Sequence, residues 1–215
     1  MRRDLTGSEL YEAHYRLQER RSNARFLAFI FLLFLFFFSL RIYWTNTFGG
    51  VEIDGASMNK TLFDGEKLLM KYSKDGRDAK RGDIIVVSVS NYKECVTIKD
   101  GYLIKRLIAV EGDIVRCVDG QVYIQYAGSE QEEKLDEPYA YYHLSKSNYD
   151  FGPYTVGEGE IFFLGDNRQN SIDSRYGIQN GSHLADRLYK VEDIYGIVPE
   201  WAVENQKILE KIFFH

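Results

Sequence analysis

From Phe26 to Leu40 the chain carries no charged residue, and Arg41 is followed by Ile42, Tyr43 and Trp44. Taken to Trp44, the stretch approaches the roughly 20 residues needed to cross the hydrocarbon core of a bilayer. It is apolar on every side, so it lacks the polar face of a helix packed on a soluble core. Arg41 can snorkel to the headgroups, and Tyr43 and Trp44 suit the interface. A cleaved signal peptide is the rival reading. No Ala-x-Ala site follows the run, however, and Tyr43-Trp44-Thr45-Asn46 is bulky. The segment 26–44 therefore reads as an uncleaved, single-pass transmembrane anchor. Arg16, Arg20, Arg21 and Arg25 precede it, and little positive charge beyond Arg41 follows closely. The positive-inside rule places residues 1–25 in the cytoplasm and residues from about 45 onward outside. Leu10, Tyr11, His14, Tyr15 and Leu17 fall roughly at helical spacing, as a short amphipathic helix would have them.

Residues 45–215 have a different character. Short β-type runs are bounded by Gly and Asp: Asp83–Ser90, Gly101–Val110, Asp113–Val118, Gln121–Tyr126 and Glu160–Leu164. Asp119-Gly120 between two of them is a type I′ hairpin signal. With 16 Tyr and 14 Phe against 3 Pro, the composition also leans to strands. The expected fold class is mainly β, an antiparallel domain behind a transmembrane helix. Long helical patterns are absent from it, apart from the region near Ser182–Leu188. Residues 127–159 are acidic, then rich in Tyr, Ser and Asn, and read as a variable surface insertion. A net charge of −5 leaves no basic footprint for nucleic acid. Cys95 and Cys117 are not spaced as zinc ligands. Two buried thiols and a disulfide both remain open for them.

Three stretches carry chemistry together: Gly55-Ala56-Ser57-Met58-Asn59-Lys60-Thr61-Leu62, then Leu103–Asp113 with its Lys105-Arg106, then Gly165-Asp166-Asn167-Arg168 continuing to Ser171, Asp173, Ser174 and Arg175. Each alone is ordinary. Ser57 fits a turn, Lys105 fits a strand residue snorkelling to solvent, and Gly-Asp-Asn-Arg fits a polar turn. His143 and His183 lie in loop-like sequence and suggest no Ser–His–Asp triad. In this order behind an apolar anchor, the three stretches resemble the type I signal peptidase family over roughly Val51 to Val198.

That resemblance implies Ser57 as nucleophile and Lys105 as general base. It implies that the Ser171 hydroxyl orients the lysine amine and that Asp173 and Arg175 support the site as a pair. It implies a mostly antiparallel β fold with no metal or organic cofactor. The implied location is the plasma membrane, and the implied partners are exported preproteins cut after Ala-x-Ala-type residues. Two positions depart from the family pattern. Lys60 stands where Pro is usual, which loosens the turn behind the nucleophile. Gly55 stands where some members carry a hydroxyl that binds the oxyanion, so the Ser57 N–H needs another donor.

The residues themselves permit this chemistry. Keeping a lysine neutral at pH 7 costs about 4.6 kcal/mol from its ordinary pKa, and burial can remove most of that. In strand alternation Leu103, Lys105 and Leu107 share one face, so the lysine can point inward. Arg106 stays charged and cannot serve as base. An extended substrate strand is expected beside Val51–Ile53 and Leu103–Lys105, making Val51, Ile53 and Leu103 the substrate-binding residues. Rival readings are a Ser–Lys self-cleaving repressor, a specialised enzyme for pilin-type precursors, and a non-catalytic surface module. The anchor and the lack of a basic DNA-binding segment weigh against the first, and the presence of both Ser57 and Lys105 against the last.

Overall fold

The structure is a computed structural model that describes residues 6–89, 101–143, 150–175 and 189–214. Cys95, His183 and the helix expected near 182–188 lie outside these residues. Helix α1 (Gly7–Thr47) runs unbroken through both the N-terminal segment and the apolar run. Glu9 receives the Thr6 N–H and hydroxyl at its start, which satisfies an otherwise orphan donor. At about 1.5 Å per residue the helix is roughly twice as long as a bilayer core is thick. All but one of its Phe and Leu side chains from Phe26 to Phe38 are exposed, Leu33 being half-buried. Such a helix is long and apolar enough to cross a membrane.

The chain from Phe48 onward forms a second compact unit. Its strands are β1 (Phe48–Glu52), β2 (Lys67–Tyr72), β3 (Ile84–Ser88), β4 (Tyr102–Val110), β5 (Ile114–Val118), β6 (Gln121–Gln125), β7 (Glu132–Lys134), β8 (Phe151–Thr155), β9 (Ile161–Leu164) and β10 (Ile194–Val198). They make a six-stranded sheet, β1-β2-β10-β3-β4-β9, and a four-stranded sheet, β7-β6-β5-β8. Every paired strand is antiparallel, as expected. At the β5–β6 hairpin Asp119 and Gly120 both have positive φ, 49° and 69°, the type I′ geometry that their sequence signals.

Two apolar clusters lie back to back across β9. Ile161 and Phe163 pack with Ile85, Val87, Leu103 and Leu107, whereas Phe162 and Leu164 pack with Val115, Val122, Ile124 and Phe151. A strand buried on both faces must be apolar at every position, which is why Ile161-Phe-Phe-Leu164 shows no alternation. The stretch 127–159 does more than decorate the surface. It supplies β7 and β8, the two edges of the smaller sheet, and Phe151 and Val156 enter that sheet's core.

Beyond the strands the described part of this unit has two short α-helices, α2 (Glu200–Glu204) and α3 (Gln206–Phe213), neither of them long. Both are too brief for a sustained 3.6-residue period to stand out. Moreover, α3 buries Gln206 while exposing Ile208 and Ile212.

Asp113 ties the two sheets together. Its buried carboxylate accepts both Nε and Nη2 of Arg81 at 2.7 Å, and the backbone N–H groups of Val110 and Ala127 at 2.9 Å. Asp113→Ala orphans those donors, so urea denaturation should record a loss of about 2–3 kcal/mol. A loss within a few tenths of wild type would deny Asp113 this role.

Candidate active site

Lys105 lies in the middle of β4, in register with Ile85 of β3. As the alternation of Leu103, Lys105 and Leu107 predicts, all three side chains are buried. Lys105 is only 2% exposed. Its Nζ lies 2.8 Å from Ser57 Oγ and donates to the Ile104 carbonyl at 2.8 Å. Burial pushes its pKa down to about 8, while the carboxylates of Asp173 and Asp166 pull the other way. At pH 7 the cost of the neutral amine falls to about 1.4 kcal/mol. A lysine in this state can accept a proton from the hydroxyl beside it.

Ser57 stands in a turn that follows β1. The Asn59 N–H bonds to the Ala56 carbonyl, and the Thr61 and Leu62 N–H groups to that of Met58. Met58 and Leu62 are buried beneath this turn and fix it to the core. The Ser57 N–H donates no hydrogen bond among the described residues, so it is available to a substrate oxygen. Gly55, at φ 93°, donates its own N–H to Asp64 Oδ1 at 2.7 Å. Lys60, where the family usually has Pro, places its ammonium 4.2 Å from the centre of the Tyr141 ring.

The loop after β9 joins these two segments. Asp166 accepts Nε and Nη2 of Arg106 at 2.8 and 2.7 Å, and the Thr61 hydroxyl at 2.5 Å. One buried carboxylate thus links the residue after the lysine to the turn that carries the serine. The Tyr139 ring covers the Arg106 guanidinium at 3.9 Å. Asn167 donates its N–H to the Ser57 carbonyl and its side-chain amide to that of Ala56. Gly165 has to be glycine, because a Cβ there would collide with the Ser171 side chain and the Ser57 carbonyl.

Asp173 and Arg175 form the expected pair, bidentate at 2.8 and 2.7 Å and buried. Asp173 also accepts the Gly165 N–H at 3.0 Å. Burial raises the Asp173 pKa, but the Arg175 guanidinium, the Gly165 N–H and the Ser171 hydroxyl together outweigh it and leave the group below its ordinary value. Arg175 donates onward to the Arg168 carbonyl. Arg168 is itself buried against Glu137 and the Tyr142 hydroxyl.

Ser171 behaves differently from its implied role. Its Oγ is buried without a well-formed hydrogen bond. It lies near enough to Asp173 to help hold that carboxylate's pKa down. The amine's partners are Ser57 and Ile104, not Ser171.

Val51, Ile53 and Leu103 all line a cleft of about 550 Å³ that has Ser57 and Lys105 in its wall. The structure thus brings these five residues together around one cleft. Thr61, Arg106, Asp166, Asn167 and Arg168 stood out in the sequence only as members of the three stretches, without these roles, and Glu137 did not stand out. Asp166 and Asn167 looked like turn residues bonding locally, and Glu137 carried no signal at all.

The family described as signal peptidase, peptidase S26, matches over residues 23–206. The chain belongs to this family of serine peptidases. It is 36% identical over 134 residues to a signal peptidase I of Bacillus licheniformis, covering 59% of this chain and 65% of that one. It is 31% identical over 183 residues to signal peptidase I P of Bacillus subtilis subsp. natto, covering 84% and 90%. The match thus spans just under two thirds of the first relative and nearly all of the second. The crystal structure of a signal peptidase I from Enterococcus faecalis V583 is 28% identical, with a TM-score of 0.41, over 57% of this chain and 97% of that one.

Asp166→Asn removes the charge that holds both Arg106 and Thr61. Thermal and urea denaturation should show a loss of about 3 kcal/mol, since Arg106 is left largely buried beside a neutral amide. Unchanged stability would mean the carboxylate is not what joins the two segments.

Proposed function

We propose that this chain is a membrane-anchored endopeptidase that removes N-terminal signal peptides from exported preproteins, cutting after small residues of the Ala-x-Ala type. Residues 1–25 lie on the cytoplasmic side, 26–44 cross the plasma membrane, and 45–215 form the catalytic domain outside. The observation that carries the reading is the 2.8 Å approach of a buried lysine amine to a serine hydroxyl. Family membership supports signal peptides as the substrate class.

In the proposed reaction, neutral Lys105 takes the Ser57 proton as Oγ attacks the scissile carbonyl. The Ser57 N–H stabilises the oxyanion. Protonated Lys105 then gives its proton to the leaving amine, the C–N bond breaks, and an acyl-enzyme remains on Ser57. Lys105, neutral again, activates the water that hydrolyses it. Asp173, Arg175 and Asp166 keep the loop and the β4 segment in place, and Ser171 fills the space beside Gly165. The substrate lies as an extended strand in the cleft, with its small side chains against Val51, Ile53 and Leu103.

The full chain in detergent micelles, given a preprotein whose signal ends in Ala-x-Ala, should cut at that site. Ser57→Ala and Lys105→Ala should each lose roughly a thousandfold or more in kcat/KM. Either mutant cutting at the wild-type rate would remove that residue from the mechanism.

The base works when deprotonated, so activity should rise with pH through a midpoint near 8. Asp166 favours the charged amine, so Asp166→Asn should move that midpoint to lower pH. A flat profile between pH 6 and 9 would contradict a lysine base.

Leu103→Arg, which puts a charge into the cleft wall, should impair cleavage of the same preprotein. Unchanged kinetics would take Leu103 out of the substrate's path.

A further inference from the structure

β1 is an edge strand, paired on one side only, with β2. It also carries Val51 into the wall of the cleft, with Ile53 just beyond its end. Gly49 and Gly50 lie inside it and have no side chain to pack, and glycine weakens a strand interior. An edge strand of this composition has little of its own to hold a fixed position, yet a wall for substrate needs one.

The grip on β1 comes from both faces. Alternation puts Gly49, Val51 and Ile53 on the cleft side, and Phe48, Gly50 and Glu52 on the back. On the cleft side a Cβ on Gly49 would collide with the Tyr72 hydroxyl. On the back a Cβ on Gly50 would stand 2.5 Å from the Phe214 ring, so that ring lies directly on the bare α-carbon. Leu69, the β2 partner of Gly50, is buried on the same face. Phe214 is brought there by α3, whose last turn still holds it: its N–H donates to the Glu210 carbonyl at 3.0 Å. At the other end of α3 Gln206 is buried, and its amide donates to the Glu210 carboxylate at 2.7 Å and reaches the Lys67 carbonyl of β2 at 3.5 Å. On the back face as well, Trp201 of α2 meets Phe48 edge-on, with ring centres 6.0 Å apart. The C-terminal segment thus crosses behind β1 and touches it at Phe48 and Gly50.

We propose that Phe214 is a positioning residue: its ring, seated on Gly50, fixes β1 from behind and so sets the place of Val51 and Ile53 in the cleft wall. The inference rests on the reading above in which the substrate strand lies against those two residues. The dyad is held by other means. Asn167 fastens the carbonyls of Ala56 and Ser57, and Lys105 is fixed in the middle of β4 by its pairing with β3. Loss of the ring therefore acts on substrate binding and leaves the proton transfer alone. Glycine is the one residue that lets a ring sit at backbone distance, and this gives Gly50 a reason to be glycine that its place in an edge strand does not.

Kinetics of the full chain in detergent, on the preprotein with an Ala-x-Ala site, supply the test. Phe214→Ala should raise KM roughly tenfold, keep kcat within about twofold, and leave the pH midpoint where it is. Phe214→Leu, which keeps apolar bulk on the glycine, should recover most of the KM. Gly50→Ala puts a methyl where the ring lies and should raise KM as well. In the Phe214→Ala background the same methyl meets no ring, so the double variant should be no worse than the worse of the two singles. Thermal melts of these proteins follow the contact without any substrate and should show the same non-additivity. An unchanged KM in Phe214→Ala, a kcat that falls in proportion, or effects of the two substitutions that simply add would each overturn the role. A wild type that cuts nothing, while the melts stay non-additive, marks the different failure, that of the peptidase reading, and takes the positioning role with it.

Discussion

Everything at this site depends on removing one lysine amine from water and setting it beside a hydroxyl. The environment must be apolar enough to strip the amine of its proton near neutral pH. It must also be rigid enough to hold a separation of 2.8 Å between residues far apart in the chain. The protein meets the first demand with β4, whose inward face is leucine on both sides of Lys105. It meets the second with a loop of buried charges that touches both partners.

That loop resolves a conflict. A carboxylate near the lysine favours the charged amine and works against the proposed chemistry, and both Asp166 and Asp173 do so. Each, however, is engaged by an arginine, Arg106 or Arg175, through two hydrogen bonds. Their fields at the amine are thereby partly neutralised, and burial remains the largest influence on it. The ion pairs contribute position more than charge, consistent with the modest net worth of buried pairs and the large cost of breaking them.

Much of this was legible in the sequence. The apolar run, the strands and the Asp119-Gly120 hairpin follow from composition, alternation and turn chemistry, all local properties. The leucine neighbours of Lys105 permit it to turn inward, and the order of the three motifs decides for that over snorkelling to solvent. What stayed hidden was long-range pairing. Asp166 reaches Thr61 and Arg106, and Glu137 reaches Arg168, across gaps that no periodicity encodes. The short helices 200–204 and 206–213 were missed because few turns give little signal. The contact of Phe214 with Gly50 was hidden for a related reason. The two lie at opposite ends of the β domain's sequence, and only the fold brings them together.

Burial against Ser57 should bring the Lys105 amine to lose its proton near pH 8. Nitrogen-15 NMR of the full chain, labelled at lysine and assigned with Lys105→Arg, follows that Nζ directly through a pH titration. A Lys105 signal that titrates near 8, two or more units below the ordinary value for a lysine, is the result required. A Lys105 signal that stays protonated to pH 10 would contradict a buried, readily deprotonated amine.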